Sequence, residues 1–392
     1  MEKQLTPQLR FTEFEDEWNK KKLIDVAVFL DHKRKPIKSA DRAKTQGVYP
    51  YYGASGIIDY INEYIFDDEL VLLGEDGENI LSRNLPLAYR VSGKCWINNH
   101  AHVLKPKAEV NIDFLTESLE LVNYVIYNTG TAQPKLNKEV CKSIPLKLPS
   151  LPEQQKIASF LTDVDEVIIK LTKKKTLLEQ YKKGIMQKIF NQELRFKDDN
   201  GNEFPVWEEK MLGEITKYYD GTHQTPNYVS EGVPFYSVEH VTANQFEKTK
   251  YISREVFEKE NKRVRLEKGD ILMTRIGNVG KARYIDWDVK ASFYVSLALI
   301  KQNSSFSSKY LAQYINSVPF QRELWKRIIH VAFPIKINLG EIGKCLVQLP
   351  CVEEQNKIAN FLSDIDLKIE ALNTKIENSK SFKKGLLQQM FV

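Results

Sequence analysis

The side chains able to do chemistry in this sequence fall into polar clusters set among glycines. In the second half, Thr222, His223 and Gln224 sit in DGTHQTPNY, followed by Tyr236, Ser237 and His240. Thr274, Arg275, Asn278 and Lys281 then lie in a glycine-flanked hairpin, TRIGNVGK. Arg, Asn and Gln bond base edges through paired hydrogen bonds, and glycine lets backbone approach a ligand closely. In the first half, Lys33, Arg34 and Lys35 open a basic run that continues through Lys38, Arg42 and Lys44. Such a run can neutralise phosphates; a solvated loop is the plainer alternative. Bond-making chemistry has less support. The chain has no GxxxxGK[ST], GxSxG or HExxH. RIGNVGK runs on into an expected strand, so no helix dipole faces its glycines. His100 and His102 would share one strand face and could hold a metal, but no third ligand accompanies them, so no metal site is assigned. Glu208-Glu209-Lys210 and Glu260-Asn261-Lys262 resemble nuclease patterns only as chance does in a Lys-rich chain.

The elements that must position these residues come from a 392-residue chain with 57 Lys and Arg against 52 Asp and Glu, a net charge of +5. That length suits two or three domains, and the mild charge permits local basic faces for an anionic partner. The longest apolar runs are far short of the ~20 residues a membrane span needs. MEKQLTPQLRF lacks a leader's apolar core. Cys95, Cys141, Cys345 and Cys351 form no CxxC and read as reduced cytosolic thiols, so a cytoplasmic location is expected.

The chain is a tandem repeat. LPSLPEQQKIASFLTDVDEVI (148–168) recurs 201 residues later as LPCVEEQNKIANFLSDIDLKI, and KKGIMQKIF (182–190) as KKGLLQQMF; roughly 19 of 43 aligned positions are identical. A weaker repeat opens each half, QLRF before EDEW and ELRF before PVWEE. The repeated arms carry largely apolar seventh-residue series, Ile157, Val164, Leu171, Leu178, Ile185 and Ile358, Ile365, Leu372, Ser379, Leu386, with partner positions that include Lys175, Lys182 and Lys383. Spacings of three and four predict paired helices; a surface helix packed on its own body is the alternative. Lysine at seam positions predicts a pair not closed along its length. A helix from Glu153 to Phe190 would be about 57 Å long. The bodies between, 20–147 and 209–348, mix short β-like runs with turn signals such as YYGASG and GEDGEN, which predicts α/β or α+β globules.

These features resemble one family, the specificity subunits of type I restriction-modification systems, over essentially the whole chain. The resemblance rests on YPYYGASGIIDYINEYIFDDELVLLGEDGEN, WINNHAHVLKP, TGTAQPKLNKEVCKSIPLKLPSLPEQQKIASFL, DGTHQTPNY, GVPFYSVEHV and KGDILMTRIGNVGK. It implies an α/β (α+β) fold: two target recognition domains, 1–147 and 193–348, and two helical arms, 148–192 and 349–392. The arms would form an antiparallel coiled coil in a pseudo-twofold tandem repeat. It implies a non-catalytic chain, present once per complex, that reads one bipartite double-stranded DNA site, with the arms fixing the spacer. Two methylation subunits would bring S-adenosylmethionine, and restriction subunits ATP and Mg2+; this chain would bind no cofactor, no metal and no membrane. To the residues above, motif position adds Tyr52, Ser55, Asn98, Asn99, His100, Gln133 and Lys135 as DNA-contact candidates. It gives Gln154, Gln155, Phe160, Gln355 and Phe361 as candidates for docking partner subunits. Where the first body has TGTAQPKLNK the second has HVAFPIKINL, with only Lys135–Lys336 and Asn137–Asn338 in common, so the bodies are expected to read different half-sites. A coiled-coil scaffold with two protein-binding bodies, or an enzyme with an unrecognised site, are the competing readings.

Overall fold

The computed structural model describes residues 6–392, so the start of the segment read above for a leader lies outside it. The chain forms two compact units. One takes the chain up to Thr172 together with Thr374–Val392; the other is Lys173–Asn373. The arms are unbroken helices, Leu151–Phe190 and Val352–Met390. Pro152 lies in the first turn of one, and the first turns carry Glu153 and Glu353 with Glu354, as the unsatisfied amides of a helix start favour. The compact units cut each arm midway, rather than separating arm from body, because each half-arm packs into a body's core. Among the described residues, no helix is long and apolar enough to cross a membrane.

Within the first unit, Ile157, Ala158 and Leu161 of the first arm share a core with Leu386 and Met390 of the second. Within the second unit, Ile189 and Phe190 meet Ile358, Leu362 and Ile365. The direction is antiparallel: Lys175 donates to Asn373 (2.7 Å) and Lys182 to Asp366 (2.7 Å), so one number rises as the other falls. The seam lysines are therefore not gaps. Lys182 reaches Asp366 and, in the first unit, Lys383 reaches Asp165 (2.8 Å), each the 201-residue repeat of the other. Burial works against the Lys383 charge, but its hydrogen bonds to Asp165 and Glu117 outweigh that and raise its pKa.

Each body is bolted to its arms by the same set of bonds. Glu153 is buried and accepts from Arg10 (2.8 Å) and Trp18 (3.3 Å); Glu354 accepts from Arg195 (2.6 Å) and Trp207 (2.9 Å). This explains the weak repeat opening each half: LRF and the following Trp are kept to close on the arm's glutamate. Gln154 accepts from the amide of Asn111 (2.9 Å) and Gln355 from that of Ser307 (2.8 Å), the N-caps of helices Ile112–Glu120 and Ser308–Ile315. Phe160 packs edge-on against Phe11 and Phe361 against Phe196. Of the residues expected to dock partners, Gln154 and Gln355 are buried inside their own units, Phe160 and Phe361 are half-buried, and Gln155 is exposed.

The first body contains strands β1 (Asn19–Lys22), β2 (Ala27–Phe29), β3 (Gln46–Tyr52), β4 (Ile57–Ile61), β5 (Phe66–Gly74), β6 (Ala88–Ile97), β7 (Ala101–Pro106) and β8 (Pro145–Leu148). Six of them make one sheet in the order β2-β7-β5-β6-β3-β4, parallel only at β3–β6, and β1 pairs with β8. The second body has β9 (Glu208–Met211), β10 (Tyr218–Asp220), β11 (Tyr228–Val229), β12 (Val233–Tyr236), β13 (Lys250–Ile252), β14 (Ile271–Thr274), β15 (Ala282–Tyr284), β16 (Ser292–Phe293), β17 (Leu297–Ile300) and β18 (Leu346–Leu349). Here β9 pairs with β18, and two sheets form, β10-β17-β14-β15 and β11-β13-β12-β16. The pairings correspond: Pro50-Tyr51-Tyr52 joins Trp96-Ile97 in parallel as Pro234-Phe235-Tyr236 joins Ser292-Phe293. The long β6 of the first body is interrupted in the second by the segment around Asp286-Trp287-Asp288, which splits the sheet.

Candidate nucleic-acid interface

Matching strand pairings superimpose the two bodies in sequence and show that four loops converge at one end of each sheet. In the first body these are Asp31–Lys35, Gly74–Glu78, Asn98–His100 and Thr129–Lys135. The amide of Glu75 donates to the carbonyl of His100 (2.8 Å), Leu136 to that of Glu75 (2.7 Å), and Gly77 to that of Pro134 (3.0 Å). In the second body the loops are Asp220–Gln224, Thr274–Asn278, Tyr294–Ser296 and His330–Lys336. Arg275 donates to Ser296 (2.9 Å), Ile337 to Arg275 (3.0 Å), and Gly277 to Ile335 (2.8 Å). Gly77 and Gly277 hold φ of +107° and +78° at the equivalent turn, where an L side chain would be strained. The sequence-predicted clusters 33–35 and 222–224 occupy the same structural position.

Both bodies anchor this end on a buried aspartate, but the surrounding charges differ. Asp31 accepts from the imidazole of His102 (2.8 Å) and the amide of Val103 (2.8 Å). His102 also donates through Nε2 to the carbonyl of Leu136 (2.8 Å), so both its nitrogens are occupied as donors. Burial pulls its pKa down, yet the bonds to Asp31 and Cys141 outweigh this and hold it at about 10. Arg34 donates to Glu75 (2.6 Å) and to the carbonyl of Ala101 (2.7 Å), and Lys135 lies 3.4 Å from Glu75. In the second body Asp220 accepts from Arg263 (2.7 Å) and His223 (2.8 Å), with Arg275 at 3.4 Å. Burial raises the Asp220 pKa, and the bonds from Arg263 and His223 more than reverse it, leaving it below the usual range. Arg275 stands where the first body has Glu75, and Ala298 where it has His102.

The predicted side chains divide by orientation. Lys33, Lys35, Asn99, His100, Gln133, Lys135, Ser55, His223, Gln224, Asn278 and Lys281 are exposed at or beside the loop end. Tyr52 is half-buried against Tyr89, and Ser237 is partly covered. The others face inward. Arg34 and Arg275 have side chains only 14% and 12% exposed and serve as clamps. Asn98 accepts from the amide of His100 (2.8 Å), Thr222 donates to Glu260 (2.9 Å), and Thr274 donates to the carbonyl of Asn278. Tyr236 and His240 lie in an aromatic cluster with Phe246, and His240 accepts from the amide of Ser237 (2.9 Å). These residues shape the loops and do not present themselves to a ligand. No metal-holding cluster exists among the described residues; His102 is spoken for, and His100 pairs with Asp76 (2.9 Å). Sequence reasoning missed the anchors Asp31 and Asp220, Arg263, the GEDGEN turn as partner of RIGNVG, and Tyr294–Ser296. The signal for the turn was present: VLLGEDG aligns with ILMTRIG, three apolar residues and then a glycine at the seventh position of each.

Comparisons with known proteins agree with this architecture. The family described as the type I restriction modification DNA specificity domain matches residues 15–180 and 206–379, one copy per half. A Haemophilus influenzae protein named for a type I restriction enzyme specificity subunit is 29% identical, covering 90% of this chain and 88% of its own. A Methanocaldococcus jannaschii type I restriction enzyme specificity subunit is 26% identical over 95% of this chain and 91% of its own. The crystal structure of a type I restriction-modification S subunit from M. genitalium shares the fold, with a TM-score of 0.66 at 15% identity over 99% of each chain. The relatives are named specificity subunits, not methylases or nucleases, and the chain's part is recognition of DNA, not catalysis. Two matched domains, a shared fold and a duplicated ring of loops lead to one assignment: the chain belongs to the type I restriction modification DNA specificity family.

Proposed function

We propose that each body reads one half of a bipartite duplex site through its four-loop end, and that the paired arms set the spacer between the halves. The observation that carries this is the duplication of the loop framework with different exposed side chains: the same anchoring aspartate and glycine turn present Glu78, Asn99 and Gln133 in one body and Asn278 and Phe333 in the other. A shared scaffold with divergent tips is what two readers of different sequences require. The working partition is two recognition domains, 1–147 and 193–348, with arms 148–192 and 349–392. The partners are duplex DNA and the methylation and restriction subunits, one specificity chain per complex, in the cytoplasm. S-adenosylmethionine, ATP and Mg2+ belong to those subunits. Exposed apolar side chains on the arms, Val167, Ile169 and Phe382 in the first unit and Leu177, Tyr181 and Leu367 in the second, supply docking surface.

The test is single-molecule sequencing of methylated adenines in a host expressing this chain with its methylation subunits. One bipartite motif is expected. Exchanging residues 20–147 for another family member's first body should change one half-site only. Inserting four residues after Leu171, about 6 Å of helix, should change the spacer and leave the bases read unaltered. A change in both half-sites on body exchange, or methylation by the isolated chain, would overturn the reading.

A further inference from the structure

The two interfaces differ most in the loop before the second arm's equivalent strand. In the first body Asn128 Oδ1 accepts from the amides of Gly130 (3.0 Å) and Lys135 (2.8 Å), folding the loop back on itself. A Cβ on Gly130 would collide with the carbonyl oxygen of Gln133. The second body has Val331 at this position and cannot close the same way. Its loop is tied at the base, Ile329 to Lys336 (2.8 Å) and Gly277 to Ile335 (2.8 Å), with Ala332 donating to the carbonyl of Ile329 (3.3 Å) and His330 bonded to that of Trp325 (3.1 Å). From that base Val331 and Phe333 project with 96% and 104% exposure, and Trp325, 61% exposed, packs edge-on against His330 at 4.4 Å. Lys336, Asn278 and Lys281, all exposed, belong to the same loop and its neighbouring turn. A fully exposed phenylalanine gives this chain no packing energy, and its cationic and amide neighbours match a phosphate-rich partner with aromatic bases. Apolar side chains enter DNA between base steps, and aromatic side chains stack on bases.

We propose that Phe333 is a wedge that stacks on a base step of the DNA bound by the second body, with Val331 beside it. The first body has only Thr131, Ala132 and Gln133 there and reads its half-site without unstacking. This rests on the reading of both bodies as DNA readers. The experiment uses the complex of the full chain with its methylation subunits and a duplex carrying the motif found by methylome sequencing. 2-Aminopurine is placed at successive positions of each half-site other than the methylated adenine. With the native chain, fluorescence rises at one step of the second half-site and at none of the first. Phe333→Ser should abolish that rise and raise Kd by about 5- to 150-fold, the range for losing one base–aromatic stack; Phe333→Trp should restore both. Unchanged Kd and fluorescence in Phe333→Ser, with the motif still methylated, would overturn the wedge and leave the two-reader model standing. Loss of the methylation subunits from Phe333→Ser without DNA would overturn it in favour of a protein contact. A complex that methylates no bipartite motif would remove both.

Discussion

Glu354→Ala tests how a recognition body is held on its arm. The native carboxylate is fully buried and accepts from Arg195 Nε (3.2 Å), Arg195 Nη2 (2.6 Å) and Trp207 Nε1 (2.9 Å). Removing it strands the indole N–H and costs the guanidinium its counter-charge. Breaking a buried pair by deleting one partner costs about 3–5 kcal/mol. Arg195 keeps bonds to the carbonyls of Phe204 (3.2 Å) and Pro205 (2.7 Å), which places the expected loss near the lower bound, about 3 kcal/mol. For a unit of about 200 residues, each kcal/mol moves Tm by about 2–4 °C, so the transition should fall by about 6–12 °C. Calorimetry of the full chain measures this. Glu354→Gln, which preserves an acceptor for Trp207, should lose less. A double-mutant cycle with Arg195→Ala should show strong coupling, since the partner's loss is already counted. Strictly additive losses, or a shift of less than about 2 °C, would refute the clamp and mean that the repeated LRF–Trp segment is held by packing alone. Glu153→Ala, which removes the bonds from Arg10 and Trp18, should behave alike in the first unit.

Further outcomes are expected. His102 titrates at about 10 in the folded chain against about 6.5 unfolded, so its contribution to stability is full below pH 6.5 and lost as pH rises toward 10; His102→Gln should flatten that part of the stability–pH curve measured by urea unfolding. Lys336→Gln should weaken DNA binding on all sequences and reduce the salt slope by about one, read from Kd at several salt concentrations. Asn278→Ala should change the bases methylated at the second half-site alone. Arg275→Ala, by contrast, should lower Tm first, because its guanidinium is turned toward Asp220 and the carbonyl of Ile337.

The arms and the duplication were plain in the sequence because they are one-dimensional signals: a heptad series and a gap-free repeat survive without knowledge of what lies across space. The seam lysines show the limit of such signals. Lys182 and Lys383 break the apolar series, and only the antiparallel register shows that each meets an aspartate on the facing helix. The docking candidates Gln154 and Gln355 follow from motif position in the arms; their partners, the amides of Asn111 and Ser307, are more than forty residues away in sequence.

By itself, then, the amino-acid sequence determined the family, the tandem order of body and arm, and some of the segments that form the loop end of each body. The tertiary structure decided which of their side chains face outward. Arginine has the same hydrogen-bonding fork whether it reads a base or clamps a loop, and sequence cannot separate the two uses. A buried carboxylate does: Asp220 draws Arg275 inward, while no such partner holds Phe333, whose side chain is left in solvent at the tip of its loop.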